Sequence, residues 1–271
     1  MSGAWWRARR DLRERPGLAG GIDKDGRRAM ELLAAGFGSV EFGTVTPQPE
    51  AGGNPGVAQL AARLRTLAPR HADASRIGIG IGMGSTAAPD SLATDWLSGL
   101  ELAWGAADYL SFNLSARAYR PLLAPSHLPL LLRAFEAVTA ERDRLRGDDT
   151  LLPLTLKVPL GTDDPFPLAL AVAAAEAGFD MLTAVLPDSP ARLDRLNLLA
   201  ARLPRQTILL AVGGIRNGAD IRAALAAGAH GVQVHRVFAE LGAACLPALL
   251  ANEQILPADI IGGAPPAGRA R

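Results

Sequence analysis

The chain has 271 residues, with 28 Lys plus Arg against 27 Asp plus Glu, and is 49% hydrophobic and 20% charged. That is an ordinary globular balance, long enough for one large α/β domain or two small ones. A net charge of +1 with scattered arginines gives no basis for a nucleic-acid partner. A single cysteine, Cys245, excludes an internal disulfide framework and fits a reducing, cytoplasmic compartment. Cys245 lies in an apolar helical run and reads as a buried structural thiol. No apolar run approaches the ~20 residues of a membrane span. Trp5-Trp6 is followed by charge, not by a signal-peptide core.

Residues 1–16 form a short basic segment with two tryptophans. It reads as an N-terminal helix capping one end of the fold, with contact to a membrane surface as the alternative. The chain then alternates. Strands are expected at Gly17–Ile22, Ser39–Gly43, Ile77–Ile81, Tyr109–Asn113, Leu152–Val158, Asp180–Val185, Ile208–Val212 and Gly231–His235. Helices are expected at Arg27–Ala35, Asp90–Trp104, His127–Leu145, Pro167–Ala177, Pro190–Leu203 and Gly218–Ala227, with one helix, Val237–Leu250, closing the chain. The link from Gly43 to Ile77 opens as a Pro/Gly-rich loop and turns helical near Val57–Leu67.

Strands alternating with helices imply a parallel sheet with crossover helices. Eight such units close into an α/β fold of the (β/α)8 barrel (TIM barrel) type; a doubly wound open sheet is the alternative. The barrel is expected over 17–256, with 257–271 as a flexible tail. Nothing in the sequence fixes the oligomeric state, and a homodimer stays open.

In such a barrel the chemistry sits at the C-terminal ends of the strands. Of the 28 basic residues only two are lysines, Lys24 and Lys157, and both fall at predicted strand ends. Arginine and lysine interchange freely on a solvated face, so a lysine kept in an Arg-biased chain marks a place where a slim point charge is needed. Gly213-Gly214 after the seventh strand, the helix start near Gly218 and Arg236 after the eighth together suit a phosphate. No His/Cys/Asp/Glu cluster has metal-ligand spacing, so no metal is expected. The run Gly78-Ile79-Gly80-Ile81-Gly82 is a strand rather than a dinucleotide fingerprint, and its glycines are expected to leave the barrel mouth open.

The segments GGIDKDG, FGTVTPQPEAGGNP, IGIGIG, YLSFNLS, LTLKV and LLAVGGIRNG…ALAAGAHGVQVH resemble the dihydroorotate dehydrogenase family, in its class 2 branch, from about Gly17 to Leu250. The resemblance implies a (β/α)8 barrel that binds FMN at its C-terminal face and acts on a small-molecule substrate, with quinone as electron acceptor. Residue by residue, Gly20 and Gly21 match the segment against the flavin, and Lys24 matches the lysine that reaches flavin and substrate. Thr44, Asn113 and Lys157 match further cofactor positions. Gly213, Gly214, His235 and Arg236 match the phosphate end. Lysine near the flavin ring has a physical reason, because a positive charge there stabilises added electron density.

The substrate half departs from the family pattern. The family's Asn-x-Ser-Ser-Pro-Asn is here Asn113-Leu114-Ser115-Ala116-Arg117-Ala118, so the catalytic-base position is Ala116, which cannot accept a proton. Gly80 and Val185-Leu186-Pro187 stand where asparagine and Thr-Asn-Thr are expected, and the Gly-rich loop after the sixth strand is missing. A site built to hydrogen-bond a diamide-like ring loses it when those groups go. The reading is therefore an FMN-dependent oxidoreductase acting on a substrate other than dihydroorotate. The base is then relocated to Ser115 or Tyr119, or not needed. The alternatives are a degenerate barrel that binds FMN or a phosphorylated ligand as an accessory protein, and a true dihydroorotate dehydrogenase with a reorganised site.

Overall fold

The computed structural model describes residues 10–67, 75–146, 151–161 and 163–251. Trp5, Trp6, His71 and the tail 257–271 lie outside the described residues. The strands are β1 (Gly17–Leu18), β2 (Ser39–Val45), β3 (Arg76–Ile81), β4 (Tyr109–Asn113), β5 (Leu154–Pro159), β6 (Met181–Val185), β7 (Ile208–Val212) and β8 (Gly231–Val234). The helices are α1 (Arg10–Glu14), α2 (Ala29–Ala34), α3 (Gly56–Arg65), α4 (Leu92–Ala103), α5 (Leu128–Arg146), α6 (Phe166–Glu176), α7 (Arg192–Ala200), α8 (Gly218–Ala226), α9 (Arg236–Leu241) and α10 (Cys245–Leu250). Every strand pairs in parallel with the next, and β1 pairs with β8 (Gly17↔Gln233, Leu18↔Val234), so the sheet closes. This is the (β/α)8 barrel rather than the open sheet.

Two expected elements differ. The first strand stops at Leu18 instead of Ile22, and the chain turns further on at Gly21, whose φ is 110°. The expected closing helix is two helices, α9 and α10, parted at Gly242, whose φ is 59°. A left-handed residue cannot continue a right-handed helix, and glycine is the residue that adopts it without strain.

The core has two compartments. Outside the sheet, helices cover the strands. Along α5, Leu131, Ala134, Phe135, Val138, Thr139 and Arg142 are buried, the spacing of one helix face. Phe135 joins Trp96 of α4, Phe112 of β4 and Phe179 in an aromatic cluster, with Trp96–Phe112 centroids 4.8 Å apart. Inside the barrel, one end is filled by Met181, Ile208 and Leu210, against which Leu12 of α1 packs. The described part of the N-terminal segment thus sits at that barrel end.

Toward the other end the lumen turns polar. Glu41 of β2 meets Lys157 of β5, Tyr109 of β4 meets Gln233 of β8, and Thr155 of β5 meets Thr183 of β6. Glu41–Lys157 and Tyr109–Gln233 join strands that are not neighbours, so those contacts cross the barrel interior. The glycines of β3 give them room. A Cβ on Gly78 would lie 2.2 Å from Tyr109 Cζ, and one on Gly82 would lie 2.1 Å from Tyr119 Oη. The space expected to stay open is therefore occupied by tyrosine side chains from β4 and the loop after it.

Candidate active site

The C-terminal strand ends surround one cavity of about 750 Å³, inside the roughly 300–1,000 Å³ usual for small-molecule sites. Gly20, Gly21, Lys24, Thr44, Asn113, Ser115, Tyr119, Lys157, Gly213, Gly214, His235 and Arg236 all line it. The two lysines therefore share one cavity.

Local hydrogen bonding explains how each group is presented. Asp23 is buried and accepts backbone N–H bonds from Asp25, Gly26 and Arg28 at 3.1, 2.8 and 2.9 Å. That folds the turn that carries Lys24. Gly21 N–H donates to the Gly43 carbonyl at 2.6 Å, and Gly43 N–H donates to the Asp23 carbonyl at 2.9 Å, stitching this turn to β2. Gly43 has φ 101°, and a Cβ there would lie 2.6 Å from the Gly80 carbonyl, so only glycine fits. Asn113 Nδ2 donates to Thr44 Oγ1 at 2.6 Å, and Asn113 Oδ1 accepts both the N–H and the hydroxyl of Ser115 at 2.7 Å. The amide is locked from both sides.

Lys157 is 7% exposed, and its Nζ lies 3.1 Å from Glu41 Oε1. Glu41 itself is 2% exposed. Gln233 Nε2 donates to Glu41 Oε2 and to Tyr109 Oη at 3.4 Å each. The Gln233 carbonyl oxygen is buried without a partner, and this residue too lines the cavity. Lys24 makes no ion pair with any described residue.

At the far end, Gly213 and Gly214 have φ of 106° and 70°, a consecutive left-handed pair that only glycines hold without strain and that brings backbone close to a ligand. The N-terminus of α8 is served by its own cap, because Asn217 Oδ1 accepts the Asp220 N–H at 3.0 Å. Arginine side chains surround the glycine pair. Arg192, at the start of α7, lies over Gly214, whose Cβ would be 3.1 Å from Arg192 Nε, and its guanidinium is 3.6 Å from Asp220. Arg216 pairs with Glu240 at 2.8 Å, whereas Arg236 has no ion-pair partner among the described residues.

The rest of the cavity wall mixes apolar and polar groups. Ala116, Val185 and Leu186 line the cavity, as do Glu50, Asn54 and Ser85 from the adjoining loops. Asn54 Oδ1 accepts from Thr46 and Gly56 N–H at 3.3 and 3.2 Å, and Glu50 Oε1 accepts from Ser85 N–H at 2.6 Å. The Tyr119 hydroxyl donates to the Met83 carbonyl at 2.9 Å. Burial, with the Glu50 charge as the next cause, pushes the Tyr119 phenol up to about 12. Burial first, then Lys157 and Arg236, holds the His235 imidazole below its ordinary value.

Sequence reasoning missed Glu41, Gln233 and Arg192. The acid in the middle of the apolar strand SVEFGTV was the available signal for Glu41. His230 accepts the Leu209 N–H at 3.0 Å on its Nδ1 and does not line the cavity. Cys245 is fully buried. Among the described residues no group of three or more His, Cys, Asp or Glu could hold a metal, and no helix is long and apolar enough to cross a membrane.

No family model matches the chain. Curated relatives do. It is 31% identical to a dihydroorotate dehydrogenase (quinone) of Flavobacterium lutescens, over 81% of this chain and 75% of that protein. It is 31% identical to the one from Methylococcus capsulatus, over 87% and 80%, and 33% identical to that of Acidithiobacillus ferrooxidans, over 81% and 72%. Among solved structures, DHODH of Eimeria tenella in complex with ferulenol superposes with a TM-score of 0.73 at 21% identity, covering 86% of this chain and 78% of that one. The ligand-free enzyme gives 0.72 at 22% identity, covering 87% and 82%. The shared barrel and the level of identity along most of its length place this chain in the dihydroorotate dehydrogenase family.

Proposed function

We propose that the chain is an FMN-dependent oxidoreductase that moves a hydride between the flavin and a small substrate other than dihydroorotate. Members of this family are FMN-dependent flavoproteins. The cavity suits such a group. Two ammonium side chains face it from β5 and the turn after β1, and glycine backbone lines it at Gly20, Gly21, Gly213 and Gly214. When bound, FMN supplies a ring able to take up and give back a hydride. Lys24 and Lys157 would hold that ring. The Gly213-Gly214 pair and Arg236 would hold the phosphate, a guanidinium being matched to its oxygens. Asn113, fixed by Thr44 and Ser115, would orient the cofactor or the substrate.

The observation that carries the substrate part is Ala116, a methyl on the cavity wall at the family's base position. The neighbouring hydroxyls do not replace it as they stand. Ser115 donates to Asn113, and Tyr119 donates to Met83 and keeps its proton up to about 12. Loss of a general base costs roughly 10²–10⁴-fold. The side chains of Val185 and Leu186 offer a planar diamide no hydrogen bond, which lowers discrimination as well as rate.

The purified protein is expected to be yellow with an oxidised-flavin spectrum, and anaerobic dihydroorotate is expected to leave it oxidised while dithionite bleaches it. Rapid bleaching by dihydroorotate would make the chain a dihydroorotate oxidase after all. A colourless protein that does not quench added FMN would end the flavin reading. The engaged hydroxyls of Ser115 and Tyr119 also favour a second reading, a flavin-holding barrel without turnover. A flavin that no small CH–CH donor reduces, and that no quinone reoxidises after chemical reduction, would select it.

A further inference from the structure

We propose that Glu41 is a positioning residue for the cofactor: it fixes the Lys157 ammonium at the cavity floor and cancels most of its charge there, leaving Lys24 as the uncompensated ammonium of the site. The inference rests on the FMN reading above and deepens it. The two lysines look equivalent in sequence, but their surroundings are not.

Glu41 stands in the middle of β2 with its side chain 1% exposed, and the Lys157 side chain is 8% exposed. A carboxylate that deep is tolerated only with a partner of opposite charge and further hydrogen bonds. Both are present: Oε1 is 3.1 Å from Lys157 Nζ, and Oε2 receives Gln233 Nε2 at 3.4 Å. The carboxylate also has a prepared slot. A Cβ on Gly20 would lie 2.7 Å from Oε1, and one on Gly80 would lie 3.5 Å from it. A side chain at Gly20, in the turn after β1, would press on the carboxylate and move the ammonium with it, whereas one at Gly80 would only reach ordinary contact. Glu41 does not itself line the cavity, whereas Lys157 does, so Glu41 acts on a ligand only through its partner.

The consequence is electrostatic. A buried ion pair is a short dipole, and its field at a nearby ligand is much weaker than that of a lone ammonium in a low-dielectric site. Glu41→Gln keeps the shape and an acceptor oxygen but turns the dipole into a bare positive charge. Electrons added to the flavin are then held more tightly, and the midpoint potential moves to a more positive value. Glu41→Gln combined with Lys157→Met removes both charges and, measured at FMN concentrations that saturate a site weakened by the loss of Lys157, is expected to return the potential to that of the parent protein. Glu41→Asp, which keeps the charge, is expected to stay near the parent value. A merely structural Glu41 would alter melting temperature and leave the potential where it was.

The test is potentiometry of the flavin bound to the full chain and these variants, with melting curves alongside. A positive shift in Glu41→Gln that the double variant abolishes supports the proposal. No shift, a negative shift, or a double variant that stays shifted overturns it. If Glu41→Gln does not fold, the double variant decides alone: an unchanged potential supports a self-cancelling pair, and a lowered one means that Lys157 was never neutralised. Absence of flavin from the parent protein would sink the FMN reading and this inference together; bound flavin with uncoupled shifts would sink only this one.

Discussion

His235 shows how a single side chain at the rim carries the electrostatics of the site. Its pKa is lowered, first by burial and then by Lys157 and Arg236. The sign follows from linkage. The folded chain prefers the neutral imidazole, whereas the unfolded chain takes up a proton near pH ~6.5. Below that value the unfolded state binds more protons, so stability falls as the pH drops from ~6.5 through the lowered folded value. Above ~6.5 the penalty is absent. Because His235 is exposed, the effect is small. Melting temperatures from pH 5 to 8 (the window set by an ordinary histidine, about 6.5) should therefore fall less on the acid side in His235→Gln than in the parent. Superimposable curves would show that His235 does not sense its cationic neighbours.

At the scale of an element, β3 turns on what fills the space beside its glycines. Tyr109 is 1% exposed, so its ring has nowhere to go when a methyl appears 2.2 Å from Cζ. Gly78→Ala is expected to cost about 1–3 kcal/mol or somewhat more, the usual range for overpacking. The cost should shrink in a Tyr109→Leu background, where the colliding atoms are gone. Urea unfolding of the two single variants and the double variant measures this coupling, and additive losses would mean that Gly78 is needed for backbone reasons instead. The same strand marks where the sequence stopped being legible. The alternation Gly78, Gly80, Gly82 was visible, and so was its unsuitability for a dinucleotide. What occupied the vacated space was not, because Tyr109 and Tyr119 arrive from 31 and 37 positions further on. Strand ends fared better: Lys24, Thr44, Asn113 and Lys157 could be placed at the barrel mouth by counting elements, since the fold itself puts strand ends there. Glu41 escaped because inward and outward positions of a strand differ only by register, and its partner lies 116 residues away. Arg192 escaped for another reason, being one arginine among many at the start of an ordinary helix.

At the scale of the whole molecule, the barrel separates what holds it together from what it offers to a ligand. One end of the lumen is closed by Met181, Ile208 and Leu210 with Leu12 of α1 packed on them, and α1 also meets the start of β8, with the Leu12 carbonyl 2.7 Å from where a Gly231 Cβ would be. The other end holds the polar column of Glu41, Lys157, Gln233 and Tyr109 and opens into the cavity. No residue of the apolar plug lines that cavity. In barrels of this kind the N-terminal face serves stability and the C-terminal face serves chemistry. Leu12→Ala removes a half-buried side chain from the plug, and its cost should fall below the roughly 2–5 kcal/mol of a fully buried leucine. It should lower the melting temperature of the apo and flavin-loaded protein alike, while flavin affinity and the shape of the flavin absorption band stay those of the parent. Lys157→Met should differ: it leaves the buried Glu41 carboxylate without its partner and so destabilises the apoprotein, and it should weaken flavin binding by more than that loss explains. If Leu12→Ala changed the flavin spectrum, the two ends would be mechanically linked through the polar column, and the division drawn here between plug and site would not hold.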